Sequence, residues 1–168
     1  FYNELTQLPR EIDQLAGLQT LNLERNHLTQ LPPVIGQLAA LQTLDLSHNQ
    51  ITQLPPAIGQ LAGLQVLDLS YNQLAQLPRE IGQLVALQTL DLWCNRLTQL
   101  PPEIVQLAAL QTLNLSHNPL LDGLNTRTAA QGYVSEAGHI LAMFGTQTNI
   151  IFTGAQFALE VKIFGTRE

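Results

Sequence analysis

Leu41 to Gly63 reads LQTLDLSHNQITQLPPAIGQLAG, and almost the same line surrounds it on both sides. Leu18 to Ala40 reads LQTLNLERNHLTQLPPVIGQLAA, Leu64 to Ala86 reads LQVLDLSYNQLAQLPREIGQLVA, and Leu87 to Ala109 reads LQTLDLWCNRLTQLPPEIVQLAA. A last copy opens at Leu110 with LQTLNLSHNPL and then departs, while Tyr2 to Gly17 is the back end of an earlier copy entered partway. The step is 23 residues throughout. A fixed period of that length means stacked units, each unable to bury its apolar face alone.

Each copy carries L-x-x-L-x-L-x-x-N. Residues two apart share one face of a strand, so Leu21 with Leu23, and Leu44 with Leu46, are expected to point inward together. The Asn recurs as Asn26, Asn49, Asn72, Asn95 and Asn118, with Asn3 before them. A column of buried amides can satisfy the backbone groups of successive turns, so these asparagines read as structural. Leu-Pro-Pro then turns the chain, with proline suited to open a helix, and a short helical turn is expected after it, as over 103–107.

The pattern is identified as the leucine-rich-repeat signature over residues 2 to about 121. Its LPPxIGQL continuation resembles the 23-residue LPxxIGxL class found in bacterial proteins and in intracellular Ras-binding scaffold proteins. That resemblance implies an α/β fold: a curved leucine-rich-repeat solenoid with a parallel concave sheet and short helical turns on the convex side. It also implies a non-catalytic module for protein–protein recognition, bacterial in flavour and signalling in role.

If the leucines are buried, function must come from the strand positions between them. Numbered from the first Leu of each repeat, positions three, five, seven and eight are expected to face solvent on the concave side. Position five is acidic in the middle of the array, at Asp45, Asp68 and Asp91, between Asn22 and Asn114. Neighbouring strands lie about 4.8 Å apart, so these carboxylates form a like-charge row whose pKa values are expected to rise. One reading is a solvated Asp, copied by duplication, that bonds a neighbouring Thr. The other is a cradle for a basic segment. A single row does not wrap round an ion, so no metal is expected there.

Positions seven and eight vary most between otherwise near-identical copies: Glu24, Ser47, Ser70, Trp93 and Ser116, then Arg25, His48, Tyr71, Cys94 and His117. Trp, Tyr and Arg dominate interface energetics. Tyr71 and Trp93 are therefore the expected centre of a partner contact, with Asp45, His48, Asp68, Asp91 and Arg96 around them.

Composition narrows the partner. The 168 residues carry a formal net charge of −6 and a single lysine, Lys162. Nucleic acid and acidic membrane surfaces both call for clustered Lys and Arg, so the expected partner is a neutral or basic protein or peptide. Cys94 is the lone cysteine, which with the lack of a leader-like start favours a cytoplasmic setting. Catalysis finds no support. His48 and His117 stand roughly 14 Å apart by strand spacing, Cys94 has no histidine in its own repeat, and no phosphate-binding loop is present. No cofactor is expected.

The period fails after Pro119. The domains expected are a solenoid over 1–121 and a C-terminal cap or extension over 122–168. In the latter, 122–133 reads as a loop and 134–144 as a helix with Ala137, Ile140, Leu141 and Phe144 on one face. A hairpin is expected over 149–164, its strands meeting at Gly154-Ala155-Gln156. A helix could shield the last leucine face, and a hairpin edge invites a second copy, so a homodimer through 148–168 is the expectation. The stretch AAQGYVSEAGHILAMF resembles the junction after the repeats in Roco proteins, where a GTPase domain follows. That implies an alternative: the regulatory segment of a larger signalling protein.

Overall fold

The computed structural model describes residues 3–120 in full and the backbone of residues 149–154 and 157–161. Five three-residue strands recur in register, β1 (Thr20–Asn22), β2 (Thr43–Asp45), β3 (Val66–Asp68), β4 (Thr89–Asp91) and β5 (Thr112–Asn114), all parallel to their neighbours. Leu21, Leu44, Leu67, Leu90 and Leu113 stand opposite one another along this sheet.

Each strand is prolonged by backbone bonds beyond its assigned ends. Leu46 N–H donates to Asp68 O at 2.9 Å, and His48 N–H donates to Ser70 O at 3.0 Å. Parallel pairing of this kind leaves no strand able to stand by itself, so the ladder and the leucine core are formed together.

The other side of the stack consists of 3-10 turns: η1 (Arg10–Gln14), η2 (Pro33–Gln37), η3 (Pro56–Gln60), η4 (Arg79–Gln83) and η5 (Pro102–Gln106). Proline opens η2, η3 and η5 at a position whose N–H would be unpaired in any case. The turns are tight because the chain must return to the next strand within a few residues.

Glycine sets how closely the turns stack. A Cβ on Gly59 would lie 2.6 Å from both Glu80 O and the Gln83 side-chain oxygen, and one on Gly82 would lie 2.4 Å from Glu103 O. Gly36 meets Ala57 O and Gln60 in the same way. Only a residue without a side chain lets each turn rest on the next.

Between sheet and turns runs one continuous apolar core, from Leu8 to Leu120. Leu44, Leu46, Leu67, Leu69, Leu90 and Leu92 are fully buried. Leu21 is only half-buried, because β1 has a sheet partner on one side alone.

The Asn column is wired from repeat to repeat. Asn49 Nδ2 donates to Leu46 O and Ser47 O in its own repeat and to Leu23 O of the preceding one, while its Oδ1 accepts from Leu28 N–H. Asn72, Asn95 and Asn118 repeat this set. Asn26 bonds Leu5 N–H, Leu23 O and Glu24 O. One buried amide thus serves groups that neither the sheet nor the 3-10 turn can reach. Among the described residues no buried side-chain polar atom lacks a partner.

Past the repeats, β6 (Asn149–Gly154) pairs parallel with β5, and β7 (Phe157–Val161) pairs antiparallel with β6. The helix expected over 134–144 lies outside the described residues.

Candidate functional site: a row of rings beside a row of carboxylates

After each strand the chain turns through a left-handed residue. Arg25, His48, Tyr71, Cys94 and His117 have φ between 52° and 57°. That conformation costs a residue with a side chain roughly 1–2 kcal/mol, and glycine would adopt it freely. Here none of the five is glycine.

Three of these residues, with Trp93, form a continuous row across four repeats. The His48 and Tyr71 rings stack with centroids 4.2 Å apart and planes 18° apart. Trp93 meets Tyr71 edge-on at 4.5 Å and 68°. His117 then packs on Trp93 at 5.8 Å and 62°. Both offset and edge-to-face geometries suit the ring quadrupole. In the fourth repeat the ring comes from position seven, so Trp93 takes the place in the row that Cys94 would hold by spacing. Tyr71 and His117 are exposed and His48 and Trp93 are half-buried, so the row lies at the surface.

Position seven was expected to face solvent, and this is corrected. Ser47, Ser70 and Ser116 are buried, because the turn that follows folds each serine back over the strand end. The backbone N–H of Ser47 and Ser70 is taken by the carboxylate two residues earlier, at 2.9 and 2.8 Å.

That bond also corrects the partner expected for the acidic row. Among the described residues the carboxylates bond no threonine. Asp45 Oδ1 accepts from the N–H and the hydroxyl of Ser47, Asp68 Oδ1 from Ser70 N–H, and Asp91 Oδ1 from Trp93 N–H at 2.8 Å. The second oxygens differ. Asn22 donates to Asp45 Oδ2 at 3.3 Å and Asn114 donates to Asp91 Oδ2 at 3.2 Å. Asp68, between two carboxylates, has no donor to Oδ2 among the described residues.

Burial holds the Asp91 carboxyl above the usual aspartate value. The Trp93 N–H and the Asn114 amide pull the other way, and the charge of Asp68 adds the smallest contribution. The rise expected from row repulsion is thus, at Asp91, mainly desolvation.

Arg96 is exposed. It makes no ring contact or ion pair among the described residues. Its backbone N–H bonds Leu74 O. Sequence spacing named Tyr71, Trp93 and His48 but missed His117, which closes the row. A second histidine at position eight was the available signal.

Among the described residues no group of three His, Cys, Asp or Glu is placed to hold a metal. No helix among them is long and apolar enough to cross a membrane.

The architecture and this face define a class: a repeat solenoid that presents an open sheet. Two family models match, one described as leucine rich repeat over residues 16–74 and one as leucine-rich repeat region over 58–128. These residues are leucine-rich repeats, and the parallel sheet with its 3-10 turns is that of a curved leucine-rich-repeat solenoid.

The chain is similar to a leucine-rich-repeat protein of Leptospira interrogans, with 47% identity and a TM-score of 0.66 over 69% of this chain and 30% of that one. It is similar also to the chain in the PEPR1–AtPEP1 crystal structure, at 30% identity and TM-score 0.62, over 67% of this chain and 16% of that one. A TDR receptor matches at 32% identity and TM-score 0.62, over 67% and 20%. The present chain therefore spans less than a third of each. No curated protein matches it. Leucine-rich repeats are typically non-catalytic scaffolds for recognising proteins, but 266 solved chains share this likeness, and fold alone does not select a partner.

Proposed function

We propose that the chain is a recognition module whose concave sheet binds a segment of another protein or peptide, neutral or basic. The contact centres on Tyr71 and Trp93, with Asp45, His48, Asp68, Asp91 and Arg96 around them. One observation carries the reading: rings from four consecutive repeats form an unbroken row at the surface. Aromatic side chains are what interfaces concentrate at their centres. The left-handed position supports it, since it keeps side chains where glycine would be free of strain. The PEPR1–AtPEP1 neighbour supports it by analogy of fold.

Selection from a random peptide display library tests it. Peptides enriched on the wild type are expected to lose binding to Tyr71→Ala plus Trp93→Ala. Peptides that bind both equally would show that contact lies elsewhere.

A second reading follows from coverage. The chain spans 16–30% of the solved chains it resembles, which suits a regulatory segment of a larger signalling protein, with a Roco-type GTPase as one form. A phosphate-binding loop encoded downstream would favour it. The free thiol of Cys94 suits a reducing compartment such as the cytoplasm. We assign residues 122–168 to a cap or extension of the solenoid, and residues 148–168 within it to self-association. β7 is the last strand of the sheet, and an edge strand offers unpaired backbone groups to a second copy. Removing residues 148–168 is expected to lower the mass in solution from dimer to monomer. An unchanged monomer before and after ends the self-association reading.

A further inference from the structure

We propose that the row of rings recognises cations: it receives Arg or Lys side chains of a basic partner segment, which lie against the Trp93 ring beside Tyr71, with Asp68 as counter-charge. This rests on the reading above that the concave face binds protein, and it adds the chemistry of the partner.

Three observations lead there. The ring faces are electron-rich, and a guanidinium or ammonium group held over such a face is attracted by the quadrupole. Tyr71 is stacked on His48 and meets the Trp93 ring at 68°, so the ring turned out of the stack toward a cation is that of Trp93. Second, the strands that carry these rings also carry the carboxylates, each two or three residues before its ring: Asp45 before His48, Asp68 before Tyr71 and Asp91 before Trp93. An anionic partner would meet both ring faces and carboxylates, and both disfavour it.

Third, the carboxylates are not equivalent. Asn22 and Asn114 occupy the lateral oxygens of Asp45 and Asp91. Asp68 Oδ2 accepts nothing among the described residues, and Asp68 shares its repeat with Tyr71. The central carboxylate therefore has one acceptor position left for a donor from outside. Internal competition is low. The chain has one lysine, Arg25 is paired with Glu24 at 3.2 Å, and Arg96 makes no ion pair among the described residues. Charge-assisted bonds between guanidinium and carboxylate are the strong ones, and partial burial of the row strengthens them further.

The test uses two twelve-residue peptides, one alternating arginine with serine, the other with citrulline in place of arginine. Citrulline keeps the shape and most of the hydrogen bonding and loses the charge. Trp93 is the only tryptophan, so its fluorescence reports binding at the row. The arginine peptide is expected to quench it saturably and to bind at least tenfold more tightly than the citrulline peptide. Asp68→Asn keeps the oxygen that accepts from Ser70 N–H and is expected to weaken the arginine peptide about tenfold while leaving the citrulline peptide unchanged. Tyr71→Leu is expected to weaken the arginine peptide similarly, with circular dichroism confirming the fold.

Equal affinity for both peptides, or no saturable response to the arginine peptide, overturns the cation proposal. If library-selected neutral peptides then still depend on Tyr71 and Trp93, the concave-face reading survives its failure. If selected peptides ignore both rings, the two readings fall together.

Discussion

Asp68→Asn is expected to make the protein more stable while it weakens binding. Asp68 stands in register between Asp45 on β2 and Asp91 on β4, at the strand spacing of about 4.8 Å. Two unit charges near that distance in a water-like medium repel by about 1 kcal/mol, and more where water is partly excluded. The substitution removes two such repulsions. It also supplies an Nδ2 donor between the lateral oxygens of Asp45 and Asp91, as Asn22 and Asn114 do at the ends of the row. The bond to Ser70 N–H is kept, because the amide oxygen replaces Oδ1. The net gain is about 1–2 kcal/mol, or roughly 2–8 °C in Tm for a chain of this size. Urea unfolding followed by Trp93 fluorescence measures it, with the midpoint shifting and the slope unchanged. The gain should shrink toward zero in 1 M salt, where the Debye length is about 3 Å, and vanish at acidic pH once the carboxylates are protonated. A variant no more stable than the wild type, or a gain indifferent to both salt and acid, would refute the claim that Asp68 is held against electrostatic repulsion.

Three further outcomes are expected. Asn72→Ala leaves Leu46 O, Leu69 O, Ser70 O and Ile51 N–H without their buried partner and should cost about 2–4 kcal/mol in chemical denaturation; a loss below about 0.5 kcal/mol would mean that water replaces the amide. Gly59→Ala places a methyl group against Glu80 O and should destabilise by about 1–3 kcal/mol, while Val105→Ala, at the same repeat position but 45% exposed, should change stability by less than about 0.5 kcal/mol; equal effects would contradict the stacking of the turns. Asp91 should titrate above the ordinary 3.8 in carboxyl-carbon NMR. Because its folded pKa is raised, the folded state binds the extra proton, and stability rises as pH falls through that window. In Asp68→Asn the Asp91 midpoint should drop yet stay above the ordinary value, since burial is the larger cause, and a return to the ordinary value would make repulsion the cause instead.

Much of the scaffold is legible from the repeat alone. A leucine at every second strand position permits only one inward face, and Asn49, Asn72 and Asn95 recur where the chain must leave a strand and bury its turn. The acidic column is equally plain, because parallel strands in register turn a period into a row. What spacing does not determine is how the chain turns after the strand. Trp93 and Cys94 occupy separate columns by count, the backbone at Cys94 is the same as at Tyr71 and His117, and only the ring contacts across repeats show that the indole of the neighbouring column reaches into the row. The burial of Ser47 and Ser70 was illegible for the same reason. It follows from an Asp carboxylate drawing back the N–H two residues on, a local bond that competes with simple alternation. The stacking of Gly59 on Glu80 and Gln83 is likewise a distance between repeats, which no single repeat contains.

Where near-identical copies differ, the neighbours constrain which differences can be tolerated. Gly36, Gly59 and Gly82 each lie under the following turn, where a Cβ would be 2.4–2.6 Å from a backbone oxygen. In η5 the same position is Val105, and its side chain is half in solvent. A valine there could not accept another turn at that approach, so the close stacking that glycine allows runs from η2 to η5 on the convex side. The opposite holds on the sheet side. Trp93 replaces a small buried serine, yet the sheet keeps its register from β3 to β5, because the indole leaves over the rim and packs on Tyr71 and His117 rather than entering the core. Val105 changes what can stack next, whereas Trp93 changes only what the surface offers. Substitutions of the second kind cost the fold little, which is why an array of copies can acquire a specific face without losing the repeat that supports it.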